Sequence, residues 1–264
     1  MTSNDQEHPS VNGAQSVLRA LDLLEAFPSY GPEIGLTSIA TALGLNKATA
    51  YRLLAALEMR GFVERCPESR KYRLGVRSFE LGAYFQSQLD IRRLAFPFLR
   101  EMVEQTQESA FLCIREGDDA LCVERVEAEY QVNIFTLRVG GREPLHCGGA
   151  PRALLSGLDE QELKAYAQRT GLPAFTPYTI NSLPALLKDV ANTQKKGTVV
   201  SKEDVVEGIA AIGAPIYDYR GNIVGAISLS GLVARYNRKR VKELTEVVVA
   251  NAAKISSQLG YREA

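Results

Sequence analysis

The 264-residue chain is poor in the residues that catalytic and metal centres use. Its four cysteines, Cys66, Cys113, Cys122 and Cys147, show no CxxC spacing, so they read as small buried hydrophobes rather than a zinc site or a disulfide framework. There are only two histidines, His8 and His146. His146 adjoins Cys147, but neighbours on an extended chain point to opposite sides and cannot pair as base and nucleophile. No glycine-rich phosphate loop stands between a strand and a helix, and no two carboxylates have a spacing suited to acid–base work. The sequence therefore argues against an enzyme and calls for no cofactor or metal. No apolar run approaches the roughly 18 residues of a membrane span. The N-terminal MTSNDQEHPSVNGA is polar and lacks a basic-then-apolar leader pattern, so a cytoplasmic protein with no membrane partner is expected. Net charge is zero.

What is present is an ordinary globular composition, 45% hydrophobic and 23% charged, in a length comfortable for two domains. The stretch from Leu36 to Leu74 reads as helix, tight turn, helix and short β-hairpin. Thr37 is a candidate cap for the first helix, with Ile39, Ala40 and Leu43 inward and Gly44 as its C′ residue. Asn46 is the candidate cap of the second, whose Ala50, Leu53, Leu54 and Leu57 form one stripe. Lys47, Ala48, Thr49, Tyr51 and Arg52 occupy its remaining surface near the N-terminus, the end by which a recognition helix enters the major groove. Strands are expected at Phe62–Cys66 and Lys71–Leu74, joined by a turn at Pro67–Arg70. This is a winged helix-turn-helix. From Asn46 to Arg77 there are eight basic and three acidic residues, a local balance of +5. Such an excess suits phosphate contacts, with Arg70, Lys71 and Arg73 on the wing holding the backbone or reaching the minor groove. A winged helix that binds a protein partner instead is the alternative.

Before the motif, residues 1–14 read as a disordered tail and Gln15–Phe27 as a helix with Val17, Ala20, Leu21, Leu24 and Phe27 on one face, ended by Pro28. After it, Leu74 to about Leu89 reads as helical, and from the sequence alone it could equally be the first helix of the second domain; a helix from Ile91 to Gln107 follows, which Pro97 should kink or restart. Strands are expected at Ala110–Arg115, Ala120–Val126 and Asn133–Leu137, and helices at Ala150–Leu155, Asp159–Thr170 and Ser182–Lys195, with Asp159 and Ser182 as caps. Two further strands, Gly208–Ile216 and Ile223–Ser230, flank a turn at Asp218–Asn222. A last helix carries Val241, Leu244, Val248, Ala252, Ile255 and Leu259 on one face. This second part is an α+β domain. Alternation along Ile223–Ser230 puts Ile223, Gly225, Ile227 and Leu229 on an apolar side. Val224, Ala226, Ser228 and Ser230 fall on a side of small residues whose two hydroxyls face either a small-molecule pocket or solvent.

The segments QSVLRALDLLEAF, LTSIATALGLNKATAYRLLAALEMRGFVER, YRLGVRSFELG and EGIAAIGAPIYDYRGNIVGAISLSG, in that order, resemble the IclR family of bacterial transcriptional regulators. The resemblance implies four parts: a tail over 1–14, a DNA-binding winged helix-turn-helix at 15–75, a linker helix at 76–90, and a GAF-like effector-binding and oligomerisation domain at 91–264. It implies a double-stranded DNA operator, a small-molecule effector and a homodimer or tetramer as partners. Ser228 and Ser230 match the family's effector-contacting serines, and the loop with His146, Cys147, Gly148 and Gly149 matches its pocket-lining segment. Pro151-Arg152 stands where the family usually has Gly-Lys. Ser201 and Ala211 stand where oxoacid-binding members present Asp and Cys. Both exchanges reduce polarity and bulk, so a larger, less polar effector such as an aromatic acid is expected, for a regulator of a catabolic operon.

Overall fold

The computed structural model describes residues 14–88, 90–129 and 137–262. Apart from Ala14 and Leu137, the expected tail and the strand expected at Asn133–Leu137 lie outside the described residues. The chain divides into two compact units, Met1–Gln88 and Leu89–Ala264.

The first unit holds α1 (Gln15–Ala26), α2 (Leu36–Ala42), α3 (Lys47–Met59), the hairpin β1 (Val63–Arg65) and β2 (Tyr72–Leu74), and α4 (Val76–Gln88). Leu23, Phe27, Ile34, Ile39, Leu54, Val63 and Tyr72 form its core. The expected stripe holds only at its C-terminal end: Phe27 is in the core and Leu24 packs against it, but Leu23 is the fully buried residue, while Val17 and Leu21 are 59% and 49% exposed. The apolar arc of α1 is wider than one packing face, so the pattern permits both rotations, and contact with α3 and the hairpin selects the one through Leu23. Pro28 does end the α-helix, which passes into a 3-10 turn at Phe27–Ser29. The N-cap of α2 is Gly35, not Thr37. Ile34 exchanges two backbone hydrogen bonds with Tyr72, N–O 2.8 and 2.9 Å, which holds the chain extended until just before Leu36. Gly44 turns left-handed at φ +62° and closes α2. The Asn46 side chain caps α3 by accepting from the Thr49 N–H at 2.8 Å. The hairpin pairs Val63 with Leu74 and Arg65 with Tyr72, one or two residues shorter per strand than expected.

The second unit begins with α5 (Asp90–Thr106), which runs through Pro97 without a new start. There follow β3 (Ser109–Glu116), β4 (Asp119–Val126), β5 (Arg142–Pro144), α6 (Gly149–Leu155), α7 (Glu160–Thr170), α8 (Leu183–Lys196), β6 (Val199–Lys202), β7 (Ile209–Tyr217), β8 (Ile223–Leu232) and α9 (Arg238–Gln258). The strands form an antiparallel sheet in the order β5-β4-β3-β8-β7-β6. Its outer strands, β5 and β6, are too short to leave an alternation in the sequence. Leu99 and Met102 of α5 and Leu244, Val248 and Ile255 of α9 pack with Ile212, Ile227 and Leu229 on one face. On the other, α6, α7 and α8 pack through Leu154, Leu155, Tyr166, Leu186 and Val190 against Phe111, Cys113 and Ala226. Asp159 and Glu162 make a reciprocal capping box on α7, while Ser182 caps α8 without a side-chain hydrogen bond.

The alternation along β8 holds only from Gly225 onward. Ile216 pairs with Gly225 and Tyr217 with Ile223, so Val224 is an extra residue in the ladder. This bulge reverses the expected sides of its first two residues: Val224 packs with the α5–α9 layer and Ile223 with the α6–α8 layer. Among the described residues no helix is long and apolar enough to cross a membrane.

Candidate functional site

In the first unit, α3 presents Lys47, Ala48, Tyr51 and Arg52 to solvent, with Thr49 half-buried beside its cap. The side chains lie on the opposite side of α3 from the buried Ala50 and Leu54. Arg70, Lys71 and Arg73 are all exposed on the wing. The wing tip is stiffened: Arg70 takes φ +57°, its carbonyl accepts from Arg65 Nε at 3.4 Å, and the Arg65 guanidinium stacks 5.9 Å from the Tyr72 ring centre. Arg73 is not a free cation, because its guanidinium pairs with Glu64 on the facing strand at 2.9 and 3.1 Å. Exposed pairs of this kind contribute little to stability and exchange readily for another anion.

In the second unit a cavity opens between the start of α6 and the sheet. It is roofed by α6 and the β6–β7 loop and floored by β3, β7 and β8. Phe111 of β3, Leu137, Ile209 of β7 and Val205 and Val206 of the β6–β7 loop supply apolar wall. Gly148, Gly149, Ser201, Ala211, Ser228 and Ser230 also line it, so six of the eight predicted effector positions, drawn from four separate segments, meet in one place. The approach depends on glycine. A Cβ on Gly213 would stand 2.3 Å from the Gly149 carbonyl oxygen, so α6 starts flat against β7 only because both residues lack one. The Ser230 hydroxyl donates to the Ala210 carbonyl at 3.2 Å. Ser228 is buried on the wall, and its hydroxyl has no hydrogen-bond partner among the described residues.

His146 and Cys147 are not on this wall, contrary to expectation. His146 is wholly buried in the layer behind it, with Nδ1 2.9 Å from the Tyr166 hydroxyl, Nε2 2.9 Å from the Pro173 carbonyl and its ring stacked on Phe175. Burial lowers its basicity, opposed by the Pro173 carbonyl. Burial, with the negative charges of Glu143 and Asp204, pushes the Cys147 thiol well above the usual thiol range, so it is neither a nucleophile nor a base partner of His146.

Two wall residues escaped the sequence reading. Asp204 is buried and firmly held: Oδ1 accepts from the Gly148 N–H at 3.2 Å and from the Ser201 hydroxyl, and Oδ2 accepts from Arg152 Nη1 at 2.8 Å. Arg152 also pairs with Asp189, Nε to Oδ2 3.0 Å. Serine at 201 therefore does not leave the wall less polar, because a carboxylate three residues on takes that place. The second is Glu143 of β5. Burial, and then the charge of Asp204, pushes its carboxyl up to about 7. A run of charged residues near short strands gives no sign of either in sequence, since both are brought to the cavity by loops and an edge strand. Among the described residues no cluster of His, Cys, Asp and Glu is arranged to hold a metal ion.

Comparison with known proteins places this architecture. Residues 16–67 match the IclR helix-turn-helix domain, and residues 83–257 match the family described as bacterial transcriptional regulator IclR, C-terminal. The chain is 32% identical over 250 residues to the HTH-type transcriptional regulator KipR of Bacillus subtilis, covering 95% of this chain and 99% of that one. It is 34% identical over 250 residues to the HTH-type transcriptional repressor AllR of Escherichia coli K12, covering 95% and 92%. Among solved structures, it superposes with a TM-score of 0.82 and 25% identity on an IclR homolog from Microbacterium hydrocarbonoxydans complexed with 4-hydroxybenzoate, covering 92% of this chain and 98% of that one. KipR and AllR are named as a transcriptional regulator and a transcriptional repressor, a non-enzymatic function. The chain belongs to the IclR family, bacterial transcriptional regulators that join a DNA-binding helix-turn-helix domain to a ligand-binding domain.

Proposed function

We propose that this protein is a ligand-responsive, sequence-specific regulator of a catabolic operon whose effector is a small organic acid with an aromatic ring. The observation that carries the proposal is the cavity of the second unit, which sets the Phe111 ring and aliphatic walls beside the Ser228 hydroxyl, for which no described residue is a hydrogen-bond partner. That is the composition of a site for a flat apolar body with one polar end. The similar protein complexed with 4-hydroxybenzoate supports the aromatic class. In this reading residues 15–75 form the DNA-reading head, 76–90 the linker, and 91–264 the effector-binding and oligomerisation part. Lys47, Ala48, Thr49, Tyr51 and Arg52 contact base edges or flanking phosphates in the major groove. Arg70, Lys71 and Arg73 hold the backbone from the wing, with Arg73 trading Glu64 for phosphate. A single head makes few contacts, so two or more copies act on a palindromic or repeated operator. Exposed Val17, Leu18 and Leu21 on α1, and Val76, Phe79 and Tyr84 on α4, support self-association. The protein works in the cytoplasm, where its DNA is. Effector binding changes the spacing of the heads, which is coupling between two sites through a two-state assembly.

The test is binding to labelled DNA from upstream of its own gene, across a salt series, with and without a panel of aromatic acids. Specific binding whose log affinity falls with log salt at about 0.9 per phosphate contacted, and which one acid alters, is expected. Salt-insensitive or absent DNA binding, with an acid still bound, would replace it by a sensor acting through a protein partner.

A further inference from the structure

We propose that Glu143 takes part in effector binding as a neutral carboxylic acid that donates a hydrogen bond to the carboxylate of the ligand, so that one proton is taken up from solvent with each acid bound. This deepens, and rests on, the assignment of the cavity to an organic acid. The charges on the wall carry it. Two carboxylates line the cavity, Glu143 and Asp204, and among the described residues no lysine or arginine does. Asp204 is fixed as an anion by Arg152, the Gly148 N–H and the Ser201 hydroxyl. Glu143 has no hydrogen bond or ion pair among the described residues, and its Oε2 lies against Gly148, 3.3 Å from where a Cβ there would be.

The groups around Glu143 offer it no compensation. From the β6–β7 loop it meets Asp204; from the turn after β5, the Cys147 thiol; from β3, the Cys113 thiol. Arg152 of α6 is engaged by Asp204 and Asp189. Arg125 of β4 is engaged as well: its guanidinium lies 5.4 Å from the Phe111 ring centre, donates to the Leu137 carbonyl at 3.1 Å and pairs with Glu127 at 2.9 Å. An ionised acid entering beside an ionised Glu143 would put a third negative charge on a wall with no lining cation, an uncompensated burial. A proton on Glu143 removes one charge and supplies the missing donor, in the strong class of O–H···O⁻ hydrogen bond. The carboxyl already sits near neutrality, so the proton is within reach under ordinary conditions. The balance is simple: a solvent proton joins a Glu143 oxygen, the ligand carboxylate accepts a hydrogen bond from it, and no covalent bond changes in the ligand. The regulator would then respond to acid concentration and pH together.

The experiment is titration calorimetry of the full-length protein at pH 6 and pH 8, in phosphate and in Tris, whose ionisation enthalpies differ. The probes are benzoate, phenylacetate and 4-hydroxybenzoate, with benzamide as the neutral comparator. For an acid that binds, the buffer dependence of the heat should report uptake of about one proton at pH 8. With Glu143 titrating about one unit from each pH, affinity should be about tenfold tighter at pH 6 than at pH 8. Glu143→Gln, whose amide donates without titrating, should bind the same acid equally at both pH values and take up no proton. An acid that binds the wild type with no proton uptake overturns the proposal and leaves the organic-acid assignment standing. Uptake that persists in Glu143→Gln also overturns it, since another group then carries the proton. Failure of all three acids at both pH values, with or without benzamide binding, overturns both.

Discussion

Replacing Arg152 by methionine should destabilise the second unit through the wall of its cavity, before any ligand is considered. Arg152 is 8% exposed and bridges Asp204, 3% exposed, and Asp189, whose side chain is 19% exposed. Methionine keeps most of the volume and removes the charge, leaving Asp204 buried with only the Gly148 N–H and the Ser201 hydroxyl as donors. Removing one partner of a buried pair costs about 3–5 kcal/mol. Asp189 can rehydrate more easily than Asp204, so the loss should lie near the lower end, about 3 kcal/mol. The second unit spans residues 89–264, and a domain of that size loses about 2–4 °C of Tm per kcal/mol, so a fall of about 6–12 °C is expected. The chain has no tryptophan, so far-UV circular dichroism is the signal to follow in thermal and urea unfolding. Arg152→Lys should fall between, because one ammonium cannot serve both carboxylates as the guanidinium fork does. Arg152→Met combined with Asp204→Asn should recover at least about 1 kcal/mol, since the orphaned charge is then gone. A methionine variant within about 0.5 kcal/mol of wild type, or a double variant no better than the single, would refute the claim that this ion network holds the β6–β7 loop.

Two further outcomes follow from the sites. Arg52→Ala should relax discrimination at one base pair of the operator by roughly 1–3 kcal/mol if its contact is bidentate, measured by competition with operator variants. A uniform loss across all sequences would reassign Arg52 to a phosphate. Ser228→Ala should leave the unfolding curve within about 0.5 kcal/mol of wild type, because that hydroxyl has no partner among the described residues, yet weaken acid binding by about tenfold in calorimetry, the worth of one good hydrogen bond. Unchanged affinity would remove Ser228 from the effector site.

Local grammar made much of this protein legible in its sequence. The Gly44 turn, the Asn46 cap, the Ala50–Leu57 stripe, the wing and the face of α9 all depend on residues within a turn or two of one another, and the structure has them where the sequence puts them. The alternation of β8 from Gly225 on is of the same kind, and it sends Ser228 and Ser230 to the cavity together. Matters of competition between long-range contacts were not legible. Which of two apolar faces α1 buries is settled by the core it meets, not by its own spacing. The extra Val224 in the β7–β8 ladder is visible only once both strands are paired, and it reverses the two residues before Gly225. His146 and Cys147 share a segment with Gly148 and Gly149, but the backbone turns between them and leaves the first two in the layer behind the wall. Glu143 and Asp204 lie 61 positions apart on an edge strand and a loop, and nothing in the order of residues tells that their carboxylates face one cavity. Short-range periodicity thus determined the longer elements and the exposed, partly basic face of α3. Which side chains share a buried, low-dielectric space, and so which charges must be compensated there, was decided only by the tertiary fold, because that depends on what each strand and helix is packed against.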